Sequence, residues 1–406
     1  MGIGTGIAKQ LRYKVESGYG VAPGASGAQL LRRVTSSLDL SKDTYQSNEL
    51  RSDYQIADFR HGTRRVAGSI NGELSPRTYG DFIAAALRRA FTNGAAITGL
   101  TITIATGSVI NGVQTYTATR SAGSYLTDGI KVGKVVALTA GSFNVANSNK
   151  NLLVIALTAT IATVVVLNGS ALVAEGPIAT ATLTVRGRET FTPTSGHTDL
   201  SFAVEHWFAD VPTSELFLGC KVNTLGLALP PTGISTIELG LIGQNITSNT
   251  GAYYTSPTAP TSTGVMAAVN GALIVGGSPI GICTGLSINV AGGYTGEPVV
   301  GTNAIPNVFP GRVNVSGSFT AYFDAGTYRD NFVNEDEIGL IVALTTGSGA
   351  LADFISLSLP RIKLGGATKS DGEQGIVATF PFQALFNAAG GAGVATEQTT
   401  LVYQES

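Results

Sequence analysis

Apolar and polar residues alternate with period two in short runs along most of the chain, the mark of half-buried strands. Residues 11–16 alternate and predict a first strand, ended by Ser17-Gly18-Tyr19-Gly20 and a Pro23-Gly24 turn. A second strand is expected at 29–34. Residues 39–62 hold neither a two-residue nor a 3.6-residue period, which predicts a long loop or an extended hairpin without an apolar face. Strand-like 66–70 then leads through Glu73-Leu74-Ser75-Pro76 into the clearest helical pattern, at 76–92. Ser75 stands as its N-cap, Pro76 at the first helical position, Asp81 toward the start, Arg88 and Arg89 toward the end, and Asn93-Gly94 as the stop. Tyr79, Phe82, Ile83, Ala86, Leu87, Ala90 and Phe91 share one face of that helix, which should pack on a sheet.

After Gly94 charges nearly vanish as far as residue 187 and β-branched residues take over. Strands at 101–104, 115–120, 132–138, 152–157, 163–167 and 180–185 predict a small all-β barrel or sandwich inserted at 95–187, between core segments 1–94 and 188–406. Longer strands follow at 201–208, 215–229 and 235–243 as a meander. Beyond a Thr/Pro/Gly-rich excursion at 248–264, strands are expected at 272–275, 282–290, 312–323, 338–345, 354–364 and 375–386, with a short helix at 328–337. The fold class is therefore mainly β, with a flanking helix and an inserted β-domain.

Composition agrees with that class and narrows the function. Fifty-two glycines and 13% charged residues in 406 favour short strands and tight turns, and leave a surface poorly protected against self-association. Net charge of −2 gives no general attraction for nucleic acid. About a third of all charges fall within 30–94. The opening residues lack a basic stretch followed by an apolar one, so no secretion signal is expected. The apolar run 152–167 is shorter than the roughly 17–25 residues of a spanning helix and contains three threonines, so no membrane insertion is expected. Cys220 and Cys283 sit in apolar runs and read as buried reduced thiols, with a disulfide between them left open.

Candidate chemistry is sparse. His61, His197 and His206 are far apart with no nucleophile pattern, and Gly347-Ser348-Gly349 lacks the strand–turn–helix context of a hydrolase elbow. Gly2-Ile3-Gly4-Thr5-Gly6 with Lys9 has the wrong spacing for a phosphate loop. Glu335-Asp336-Glu337, with Asp324 and Asp330, lacks calcium-loop spacing and reads as a solvated helix end. The Asn-x-Ser/Thr triplets at Asn168, Asn245 and Asn314 are chance matches in such a composition. No catalytic residue, metal or cofactor is expected. The basic cluster Arg60, His61, Arg64 and Arg65 shares its segment with Asp43, Glu49, Arg51, Asp53 and Asp58, and mixed signs without interleaved aromatics suit protein contacts rather than nucleic acid.

The order of features resembles the major tail tube proteins of long, non-contractile-tailed bacteriophages. Tyr13-Lys14-Val15-Glu16-Ser17-Gly18-Tyr19-Gly20, Ser47-Asn48-Glu49-Leu50-Arg51-Ser52-Asp53, and Val66-Ala67-Gly68-Ser69-Ile70 running to Glu73-Leu74-Ser75-Pro76 carry the resemblance, which is best over 11–91 and fair over 312–386. It implies a tail-tube β-sandwich in six-fold rings whose inner strands form one continuous barrel, stacked into a conduit for DNA. It also implies that 39–65 reaches the neighbouring ring, that the insertion decorates the outside, and that tape-measure, terminator and distal tail proteins are partners in a virion tail assembled in the host cytoplasm. Phage DNA would pass without sequence-specific binding, with Glu238 a candidate lumen residue. The alternative is a phage surface, head-decoration or glycan-binding β protein built around 95–187.

Overall fold

The computed structural model describes residues 3–323, 326–371, 373 and 375–406; Gly2 of the glycine-rich opening and Asp324 of the acidic group lie outside the described residues. Among the described residues the fold is built from strands, with two α-helices and one short 3-10 turn.

The main body is one extensively paired antiparallel sheet that folds over its own apolar face. Strands Phe59–Glu73, Thr236–Gly243, Thr213–Leu229, Cys283–Ala291, Asn314–Tyr322 and Val377–Ala384 lie side by side. Phe354–Leu364 pairs with Val377–Ala384 only at its end, Ile362↔Ala384 to Leu364↔Phe382. From there it turns over the first layer and continues pairing with Ile338–Thr345 and Val402–Glu405. The alternation read from sequence now has its cause: Ile70, Leu225, Leu239, Ile288 and Phe319 point inward from the first layer and meet Val342, Leu357 and Leu359 from the second. Thr213–Leu229 is long enough to serve two neighbourhoods. Its first half pairs with Phe202–Phe208 and Asn245–Thr250, its second with Thr236–Gly243 and Cys283–Ala291.

The helix is real but shorter than its sequence pattern. It spans Gly80–Leu87, with Tyr79 at the N-cap and no side-chain cap. Ser75 does not cap it; the Ser75 hydroxyl lies 2.6 Å from that of Thr78. Arg88 ends the helix in the left-handed region at φ 60°, so residues 92 and 93 are free to form a short strand rather than the helix stop expected of Asn93-Gly94. The reason is burial. Every helical residue except Asp81 is buried, so this is a core helix and not a half-wetted amphipathic one. Phe82 packs against Tyr13 and Phe202 at ring distances of 4.6 and 4.7 Å. Tyr79 donates its hydroxyl to the Arg32 carbonyl at 3.0 Å. Ile83 and Leu87 complete the buried set, while Phe91, beyond the helix, is half-buried between the Arg188 guanidinium and Tyr403.

Within the inserted segment, Ala96–Ile110, Val113–Arg120, Val135–Ala140, Leu152–Leu157, Ile161–Val166 and Glu175–Val185 close into a six-stranded barrel with its own core of Ile102, Tyr116, Leu138, Val154, Val164 and Leu183. The segment leaves and rejoins the body at one place: Thr92 and Asn93 pair with Glu189 and Arg188, and the Gly94 amide donates to the Gly187 carbonyl at 2.8 Å. Gly187 has φ +61°, and a Cβ on Gly94 would collide with the Val185 carbonyl, so this two-strand stem needs both glycines. The barrel does not hang free. Val135, Leu153, Ile155 and Val165 pack on Ile274, Ile341, Ala343 and Phe354 of the second layer. Gln404 reinforces the contact through the Val135 amide and the carbonyls of Val135 and Arg186. The body core therefore has the first layer on one side, and the second layer and then the barrel on the other.

Candidate assembly surfaces

Residues 39–65, left open between loop and hairpin, form a hairpin. Asp39–Gln46 pairs antiparallel with the first half of Phe59–Glu73, from Asp39↔Ala67 to Gln46↔Phe59, with a bulge between Lys42 and Thr44. Gly62 sits under the Tyr45 ring, which would collide with any Cβ there. Beyond Val66 the hairpin leaves the body, and its side chains are almost all exposed.

Its charges are mostly matched within the arm itself. Arg51 pairs with Asp53 at 2.7 Å, Arg60 with Asp58 at 2.6 Å and Arg65 with Asp43 at 3.2 Å. The arginine partners hold Asp53 and Asp58 below the usual carboxylate range. Glu49 is exposed with no ion-pair partner among the described residues, and Arg64 is half-buried with an unpartnered Nε. Sequence pattern missed a different feature here: Tyr45, Leu50, Tyr54, Ile56 and Phe59 are all more than half exposed. They follow no period, which is why a periodicity reading passed over them, although six large apolar residues in a nominal loop were countable.

The arm's root is braced. The Arg64 amide donates to the Asn303 carbonyl at 2.8 Å, tying the hairpin to the loop at 292–311. That loop is itself held by buried cations. Arg88 donates to the Gly292 and Gly311 carbonyls, both at 2.7 Å, and lies over the Tyr294 ring. Lys221, 2% exposed, pairs with Asp199 at 2.6 Å and donates to the Val308 carbonyl at 2.9 Å. The helix end, loop and arm thus form one connected support.

A second surface lies on the outer side of the first layer. Outward positions there include Ser69, Asn71, Thr236, Glu238, Gly226, Ser287, Asn289, Ser316, Ser318 and Gln383, which the strand registers bring side by side. The stretches 66–73, 224–229, 236–243, 283–291, 314–322 and 377–384 contain no lysine or arginine, and their only carboxylates are Glu73 and Glu238. Glu238 is exposed opposite Asn71 on one side and Gly226 on the other.

One constellation with a chemical look does come together: the Ser36 hydroxyl lies 2.8 Å from His206 Nε2, and Glu215 lies 3.8 Å from Nδ1. Burial, then the charges of Lys9 and Arg33, lower the His206 pKa to about 3, which makes it a poor base, and the carboxylate is beyond hydrogen-bond reach. The Ser36–His206 hydrogen bond pins the strand at Thr35–Ser36, next to the arm's root. Glu335 and Glu337 are paired with Lys363 and Arg361, and no group of metal-binding side chains occurs among the described residues. Cys220 is buried and Cys283 half-buried, both as free thiols.

The sequence profile of the phage tail tube proteins matches residues 6–384. The chain belongs to the phage tail tube protein family. No curated protein matches it. As a tail tube protein it is a structural component of a phage tail that assembles with its own kind into a tube, and its mainly β architecture is in keeping with that role. For such a subunit the surfaces that matter are the ones that meet other copies and the one that faces the contents of the tube. Family membership favours this role over the head-decoration or glycan-binding alternative.

Proposed function

We propose that this chain builds the tube of a long, non-contractile phage tail by closing into six-fold rings that stack, with the cation-free outer face of the first layer lining the conduit for DNA ejection. The observation that carries this is the run of Ser, Thr, Asn and Gly positions across the neighbouring stretches 66–73, 224–229, 236–243, 283–291, 314–322 and 377–384 without one lysine or arginine, with Glu73 and Glu238 their only charges. Phosphate backbones are held by lysine and arginine, so such a face lets DNA slide past hydrated dipoles without counterion-releasing contacts. The barrel supports the same orientation, since it docks on the far side of the body core and so decorates the outside of the tube. Closure into a ring removes the open sheet edges that a mainly β subunit would otherwise expose. The arm at 39–65 then crosses to the next ring, with Asp43, Glu49, Arg51, Asp53, Asp58, Arg60, Arg64 and Arg65 fixing register at its surface. A tape-measure protein fills the lumen before DNA, a terminator caps the last ring, distal tail proteins close the other end, and assembly takes place in the host cytoplasm.

Negative-stain imaging of the purified chain tests the tube, with hollow filaments of six-fold end views expected. Persistent monomers at all salt and protein concentrations would refute it. Ser287→Lys with Asn289→Lys tests the lining: tubes should still form, while DNA release from the assembled phage slows. Release at the normal rate would remove this face from the lumen.

A further inference from the structure

The five apolar side chains of the arm are all more than half exposed in the subunit, and a hairpin carrying them into water is a docking element. Leu50 and Tyr54 at the tip are fully exposed, Ile56 is 66% exposed and Phe59 54%. The charges around them are already paired to one another, so burying the tip strands none of those three arginines.

The opposite end of the same strands carries a hollow of matching chemistry. The arm leaves the body at Val66, which is paired with Gly243, so the arm end of the layer is the 243 end of its neighbour. Leu229↔Leu286 and Cys283↔Ala321 lie at the other end, near Glu73↔Thr236. There a cavity of about 290 Å³ opens among Leu229, Ala268, Ile280, Cys283, Leu286 and Val342, with no charged residue in its wall. The wall is made of aliphatic, proline, glycine and alanine residues, with the Cys283 thiol as its one polar side chain.

We propose that the apolar tip of the arm docks in the Cys283 cavity of a second copy of this chain stacked head to tail on the first. The proposal rests on the stacked-tube reading given above. Three features support that occupant. The two surfaces differ and lie at opposite ends of the strands, as a contact that repeats without limit along one direction requires. Beyond Arg64, which is bonded to Asn303, the paired stretch out to Phe59, at about 3.3 Å per residue, carries the tip about 17 Å past the body, enough to cross a junction between rings. Most of the tip's charge is already matched, Arg51 with Asp53 and Arg60 with Asp58, so beside an uncharged wall Glu49 alone has to stay at the rim in water.

The wall thiol supplies the test. Leu50→Cys and Tyr54→Cys, each in the full chain, are assembled into tubes, treated with a mild oxidant and run on a denaturing gel without reductant. Cys220 is fully buried, with its thiol pKa raised by that burial, and so does not compete. The expected result is a ladder of covalent dimers, trimers and longer chains at the expense of monomer, abolished when Cys283→Ser is added. Leu50→Asp should raise the subunit concentration needed for tube growth at least tenfold. If the apolar substitutions themselves stop assembly, Asn48→Cys probes the same tip without removing an apolar contact. Tubes that form from these variants yet give no ladder, or a ladder that survives Cys283→Ser, would overturn the docking while leaving the tube intact. Absence of tubes from the unmodified chain would sink the stacked-tube reading and the contact with it.

Discussion

Removing the arm separates its role in assembly from any role in folding. Ser41 and Arg65 are direct cross-strand partners, so residues 42–64 can be replaced by an Asn-Gly pair that closes the shortened hairpin as a two-residue turn. Of the side chains removed, only Thr63 is buried; the others are exposed or half-exposed, and the arm's ion pairs lie in water, where such pairs add little. The main loss to the subunit is the hydrogen bond from the Arg64 amide to Asn303, worth about 1 kcal/mol. In a chain of this size a change of that magnitude moves the midpoint of thermal unfolding by about 1–2 °C. Circular dichroism should therefore show an undiminished β signal and nearly the original melting temperature, while imaging shows no stacked tubes. Tubes of ordinary length from the armless chain would refute an inter-ring arm, and a collapsed β signal would show that the arm is part of the core.

Phe82→Ala should act in the opposite way, destabilising the subunit by about 3–5 kcal/mol in urea unfolding, because it empties a site between Tyr13 and Phe202 that no solvent reaches. His206 makes stability pH-dependent. It is held neutral to about pH 3 in the fold, whereas in the unfolded chain it takes up a proton near pH 6.5, so its contribution is complete above that pH and is lost as pH falls toward 3, at about 1.4 kcal/mol per unit. His206→Gln should flatten the slope of melting temperature against pH over about pH 6 to 4, and an unchanged slope would show that other groups set it.

Strands were legible wherever one face is buried. Thr236–Gly243 and Cys283–Ala291 alternate so regularly that their sequence limits differ from the structural ones by a residue. The inserted barrel was legible too, since loss of charge and a run of Val, Ile and Thr coincide with its strands. The helix limits were not, because a fully buried helix loses the polar face that marks its ends, and Arg88 stops it in a conformation that favours glycine. Short strands such as Arg188–Phe191 and Val402–Glu405 were missed because their positions depend on partners far along the chain. The arm illustrates a different limit. Its charges stand out in the sequence, yet their mutual pairing needs the hairpin register, and only then do Leu50, Tyr54 and Ile56 become its unspent surface.

The single two-strand stem of the barrel has a consequence for anyone wishing to decorate such tubes. Chain enters and leaves across one rung of a ladder, so a foreign domain whose ends lie about 5 Å apart can be spliced between Gly94 and Gly187 without disturbing strand order. Removing the barrel also uncovers Ile274, Ile341, Ala343 and Phe354, now sealed by Val135, Leu153, Ile155 and Val165. A graft that brings no apolar underside would leave that strip bare, and, with the barrel on the outside of the tube as proposed, the filaments would stick side by side. Cargo for this scaffold should therefore be chosen by the face it turns inward before the one it displays.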